Sequence, residues 1–145
     1  MTAQQYFFTL QQIQAKIENK ENRLARIMES VSSPAVGELK KDKVQSSTPL
    51  DKQERMITEA VVLEGEIQEL YVKLQELRGR IARQIDNMDN PIYSRILSLK
   101  IEGDYILRDI AKILYYNESY TRYLYRQALK EFEKQYADEL KTKRI

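Results

Sequence analysis

"QERMITEAVVLEGEIQELYVKLQELRGRIARQI", Gln53–Ile85, carries one set of apolar residues in alternating steps of four and three. They fall at Met56, Ala60, Leu63, Ile67, Leu70, Leu74, Leu77 and Ile81, and Ile85 and Met88 extend them after one extra step of four. That rhythm belongs to a coiled-coil seam, with the extra step as a small phase slip. A helix of about 37 residues spans about 55 Å at 1.5 Å per residue. It is too long for an ordinary globular helix, and its apolar stripe is too narrow for a full core. Such a stripe calls for a partner seam. Gly65 and Gly79 lie off the seam, where they weaken the helix slightly without breaking it.

The nearest partner lies upstream. Tyr6, Leu10, Ile13, Ile17, Leu24, Ile27 and Val31 follow the same spacing, with Lys20 at the one seam position that is not apolar. Between the two runs, "SSPAVGELKKDKVQSSTPLD" (Ser32–Asp51) holds two prolines, a glycine, a basic cluster and a Ser/Thr run. These signals predict a loop, mobile at its tip and long enough to reverse the chain. Asp51, with Glu54 three residues on, has the pattern of an N-cap and capping box. An antiparallel coiled-coil hairpin within one chain is the preferred reading. A homodimer through the same seam is its rival.

Downstream, "DNMDNPIY" closes the long helix: Asn90 precedes a proline, which disfavours helical geometry there and suits the start of a new helix at Pro91. Short segments follow: Pro91 to Lys100, a turn at "IEGDY", a helix ending near Leu114, a break at "YYNES", and a last helix to about Leu140. The expected fold is all-α: a long antiparallel coiled-coil hairpin over residues 1–90, with its loop at about 32–51, then a compact three-helix helix-turn-helix domain over residues 91–145.

Composition narrows the chemistry. The chain has no cysteine and no histidine among 145 residues, which removes thiolate and imidazole sites and any Ser-His-Asp arrangement. There is no glycine-rich phosphate loop, and carboxylates on helical surfaces usually make solvated faces and i,i+4 pairs. The expectation is a protein that is not an enzyme and uses no metal or cofactor. No apolar run is long enough for a bilayer, and no signal-peptide pattern opens the chain, so the expected location is cytoplasmic, with no membrane partner. A net charge of +2 is too small to argue for nucleic acid by itself.

The last segment is more informative. "RDIAKILYYNESYTRYLYRQALKEFEKQY" (Arg108–Tyr136) holds six of the ten tyrosines around the polar break. With Asn117 as N-cap, a count at 100° per residue puts Thr121, Leu124, Tyr125, Ala128, Leu129 and Phe132 on one side. They face the preceding helix, whose inward residues should be Ile106, Ile110, Ala111 and Leu114. Ser119, Arg122, Tyr123, Arg126 and Lys130 fall together on the opposite side, and Tyr120 adds a hydroxyl in the first turn. Arg122 and Arg126 suit bidentate contacts to guanine, Ser119 and the tyrosine hydroxyls suit phosphate or base edges, and Lys130 suits the backbone. The plainer account is a solvated polar face. Tyr123 weighs against it, because a tyrosine ring left in water is less expected than a lysine. Glu118, in the first turn, reads as a residue complementing the helix dipole.

At these residues the chain resembles the helix-turn-helix of sigma-factor region four. It is still more similar to phage and prophage transcriptional regulators of the RinA and ArpU type. The matching residues are Ile110, Ala111, Leu114, Asn117, Leu124, Ala128, Leu129 and Phe132, with Thr121 where a small β-branched apolar residue is usual. "LSLKIEGDY" upstream resembles the leucine-bearing helix and turn that introduce the unit. The likeness runs over roughly Ile92 to Tyr136, with two departures. Tyr115 stands where a small residue, often glycine, makes the tight turn, which predicts a wider turn here. The spacing from Gly103 to Ala111 is one residue longer than usual. The resemblance implies a regulator of phage genes, late or packaging genes included, that binds double-stranded promoter DNA or acts with RNA polymerase in a bacterial host. The hairpin would then supply dimerisation or a partner surface. Tyrosine and arginine are also the residues of protein hot spots, so a non-DNA-binding adaptor or inhibitor of a regulatory protein or polymerase subunit is the alternative.

Overall fold

The computed structural model describes residues 1–32 and 49–142; the loop expected at about 32–51 lies almost wholly outside them. The elements are α1 (Ala3–Ser32), α2 (Pro49–Asp86), α3 (Pro91–Leu97), a π-helical turn (Ser98–Glu102), α4 (Leu107–Leu114), α5 (Glu118–Gln135) and α6 (Ala137–Thr142). The fold is all-α: a long antiparallel hairpin of α1 and α2, followed by a compact set of short C-terminal helices. Two compact units divide the chain, one taking in Met1–Gln12 and Gln75–Ile145, the other Ile13–Leu74. This division cuts through both long helices, whereas the proline-based boundary lies between Asn90 and Pro91.

Pairing along the hairpin follows from its cross-links. Tyr6 bonds Gln84, Lys20 bonds Glu66, and Glu21 bonds Tyr71, so the start of α1 pairs with the end of α2 and the middle of α1 with the middle of α2. Every seam residue foreseen on α1 and α2 is buried or half-buried, including Ile85 and Met88 beyond the phase slip. Lys20 is half-buried at its seam position, with its ammonium 3.0 Å from the Glu66 carboxylate. Off the seam, Gly65 stands in open space.

Two expectations about helix ends are corrected. α2 begins at Pro49, so Asp51 is an acidic residue of the first turn rather than its cap. Proline's fixed φ and missing N–H suit a first helical turn, and the acid there complements the helix dipole. The final helix does not run unbroken to Leu140 but interrupts at Tyr136. There the Tyr136 hydroxyl donates to the Gln84 carbonyl at 2.7 Å, its ring lies 4.7 Å from that of Phe132, and Leu140 beyond is buried.

In the first unit, α3 starts at Pro91 as its sequence suggests, and Asn90 caps it, accepting from the N–H groups of Ile92 and Tyr93 at 2.9 and 3.4 Å. Ile96, Ile110 and Leu124 form a buried cluster, one residue each from α3, α4 and α5. Tyr93, Leu99, Leu107, Leu114, Tyr116 and Tyr125 pack around it. A second cluster holds the start of α1: Ala3, Tyr6, Phe7 and Leu10 are buried at i, i+3, i+4 and i+7 spacing. The rings of Tyr6 and Phe7 lie 6.0 and 4.8 Å from Phe132, which is fully buried. The Ala3 N–H donates to Glu133, and Tyr6 donates to Gln84.

Candidate nucleic-acid interface

α4 and α5 are joined by three residues, Tyr115–Asn117. α5 starts there for a local reason: the Asn117 side chain accepts from the Tyr120 N–H at 2.7 Å, satisfying an otherwise unpaired donor of the first turn. Thr121 is fully buried, and its hydroxyl donates back to the Asn117 carbonyl at 2.9 Å. Leu124, Ala128 and Phe132 are buried below it, with Tyr125 and Leu129 half-buried, so the inward side matches the angular count. On α4, Ile110 and Ala111 are buried and Leu114 is half-buried. Ile106 is the exception: it is the N-cap residue of α4 in extended geometry and 48% exposed, and Leu107 turns inward instead.

The outward side is also where the count puts it. Ser119, Tyr120, Arg122, Tyr123, Arg126 and Lys130 are all exposed. Along 18 residues, about 27 Å of helix, these six occupy the first three and a half turns. Two features of this face were not foreseen. The Arg122 guanidinium lies 3.6 Å from the Glu118 carboxylate one turn back, so this arginine is already engaged by an acid. The tyrosines form a row: the Tyr116 ring meets Tyr120 edge-on at 5.2 Å, and Tyr120 stacks on Tyr123 at 6.3 Å. The i,i+4 spacing of Glu118 with Arg122 and of Tyr116 with Tyr120 was the available signal.

The turn is not widened at Tyr115. Tyr115 itself takes the left-handed conformation, φ 61° and ψ 37°. Its N–H reaches the Lys112 carbonyl at 3.3 Å, and the Tyr116 N–H reaches the Ala111 carbonyl at 3.0 Å. This is a Schellman motif with tyrosine in the place glycine usually takes. A side chain in this region of backbone space costs about 1–2 kcal/mol relative to glycine.

Among the described residues no group of three or more acidic, cysteine or histidine side chains is placed to hold a metal ion. No helix among them is long and apolar enough to cross a membrane. Burial pushes the Tyr125 hydroxyl above its usual pKa, so this ring stays neutral well beyond physiological pH. The chain matches no protein-family model, no curated protein and no solved structure.

Proposed function

We propose that the protein is a phage-encoded, sequence-specific DNA-binding transcriptional regulator, of late genes in particular, related to the RinA and ArpU type. α5 enters the major groove, with Ser119, Tyr120, Arg122, Tyr123 and Arg126 toward bases and phosphates and Lys130 toward the backbone. The observation that carries the reading is the division of α5. A firmly capped, well-packed inner face holds outside it an uncovered face of arginine, lysine, tyrosine and serine. The protein acts in the bacterial cytoplasm as a binder rather than an enzyme, with no cofactor; RNA polymerase is a candidate second partner. In this reading the hairpin serves dimerisation or partner binding. Val61 and Val72 on α2 support that role, because they are more than half exposed and extend the apolar surface beyond the seam.

The test is a mobility-shift assay at modest salt against promoter regions of the phage genome. Specific binding that Arg122→Ala and Arg126→Ala each weaken supports the reading. Binding no tighter than to random DNA, or indifferent to both substitutions, overturns it.

One observation favours a second reading. The Tyr116–Tyr120–Tyr123 row is an aromatic surface of the kind that anchors protein interfaces. Under it the same face binds a regulatory protein or a polymerase subunit as an adaptor or inhibitor. A stoichiometric protein partner that survives nuclease treatment of a cell extract would favour it.

A further inference from the structure

Tyr115 is the residue whose conformation its own chain explains least. Two described non-glycine residues have positive φ, Asp104 and Tyr115, and none of the described glycines does. The Schellman bonds at the end of α4 require the left-handed geometry but not a side chain, and glycine would satisfy them without strain. The tyrosine ring returns nothing to the fold. It is 94% exposed, and no hydrogen bond, ion pair or ring contact holds it among the described residues. A strained backbone carrying an idle side chain points to a contact outside the chain. The position narrows that contact. The turn lies between two helices, and in helix-turn-helix docking the first crosses the phosphate backbone while the second enters the groove. Tyr115 is followed directly by Tyr116, the half-buried ring that the exposed Tyr120 meets edge-on.

We infer that Tyr115 is a DNA-backbone contact, its hydroxyl donating to a phosphate oxygen beside the groove that α5 enters. This rests on the DNA-binding reading and adds a contact lying off α5. A neutral phenol releases no counterion, so its contribution is the same for every sequence and leaves the salt dependence of binding unchanged. Arginine and lysine contacts behave differently, each steepening that dependence.

The experiment pairs thermal melting with titration of a random-sequence DNA duplex, for wild type, Tyr115→Gly and Tyr115→Phe. Tyr115→Gly is expected to melt a few degrees above wild type, because it relieves the left-handed strain. It should bind the duplex about tenfold more weakly, with the slope of affinity against salt unchanged. Tyr115→Phe should melt as wild type does and lose most of the same affinity. Wild-type binding that Tyr115→Gly leaves within twofold overturns this inference alone. A glycine variant that melts below wild type also overturns it, by showing that the ring supports the fold. A wild-type protein with no measurable affinity for duplex DNA overturns the DNA-binding reading and this contact with it.

Discussion

The Tyr6 hydroxyl donates to Oε1 of Gln84 at 2.8 Å, joining two buried side chains 78 positions apart. Gln84 passes the link on, its Nε2 donating to the Glu139 carboxylate at 2.6 Å. A short polar chain thus ties the start of α1 and the end of α2 to α6, running from the buried Tyr6 out to the exposed Glu139. Tyr6→Phe removes the donor and leaves the amide oxygen of Gln84 unpaired away from water. The expected cost is about 1–2 kcal/mol. Urea denaturation should show a lower midpoint with an unchanged slope. A midpoint equal to that of wild type would mean that water takes the place of the hydroxyl.

Alkaline pH should weaken the fold. Burial raises the pKa of Tyr6, with Arg80 opposing it in part. Burial also raises Tyr125 and Tyr136, the latter with help from Glu139. In the unfolded chain these hydroxyls titrate near 10, below their folded values. Between the two values the unfolded state binds fewer protons than the folded one, so stability falls as pH rises. The contribution is complete below about pH 10 and is lost as pH climbs through the raised folded values. Denaturation midpoints from neutral to strongly alkaline pH should show the decline, and Tyr125→Phe should make it shallower. A curve that Tyr125→Phe leaves unaltered would count against burial as the cause at that ring.

At the seam, Lys20 and Glu66 form a pair 3.0 Å apart whose side chains are 28% and 46% exposed. A pair this open to water adds between zero and about 1 kcal/mol, and a polar seam residue more often fixes register than strength. Lys20→Leu should therefore stabilise the hairpin, by about 1 kcal/mol, as the seam gains apolar burial. It should also loosen specificity, seen in light scattering as a fraction of larger species. A Lys20→Leu protein that melts lower than wild type would show the ion pair to be worth more than its exposure suggests.

How far the sequence reaches can be judged at particular residues. The hairpin seam was legible because heptad spacing depends on the chain alone, and Lys20 showed its exception in the same register. Asn117 was legible because a cap needs only its own side chain and the next turn, and the start of α3 was legible from the proline after Asn90. The inner and outer faces of α5 followed from angle alone. The breaks were different. Neither the π-helical turn after Leu97 nor the interruption at Tyr136 carries a proline, and the nearest glycine, Gly103, follows the turn. The contact at Tyr136 is tertiary, a hydroxyl bonded to a carbonyl 52 residues away. Phe7 was readable in the Ala3, Tyr6, Phe7, Leu10 spacing, but a narrow-seam reading leaves it out. Ile106 was placed inward by periodicity, yet a capping position has extended backbone and no helical phase.

The Glu118–Arg122 pair gives the proposed DNA face its most specific expectation. Arg122 must leave Glu118 to reach a base edge or phosphate, and the carboxylate also repels the duplex. Glu118→Gln removes both obstacles, so it should tighten DNA binding, by about three- to tenfold at low salt, with the gain shrinking as salt rises. Its cost to the helix is small, about 0.3–1 kcal/mol from the lost charge at the N-terminus. Arg126, exposed one turn further on and without an ion pair among the described residues, should behave in the opposite sense. Arg126→Ala should weaken binding about tenfold and lower the salt slope by about one. Fluorescence anisotropy over a salt series separates the two effects. If Glu118→Gln weakens binding while the protein stays folded, the carboxylate is itself a contact and the face reads something other than a phosphate-lined groove.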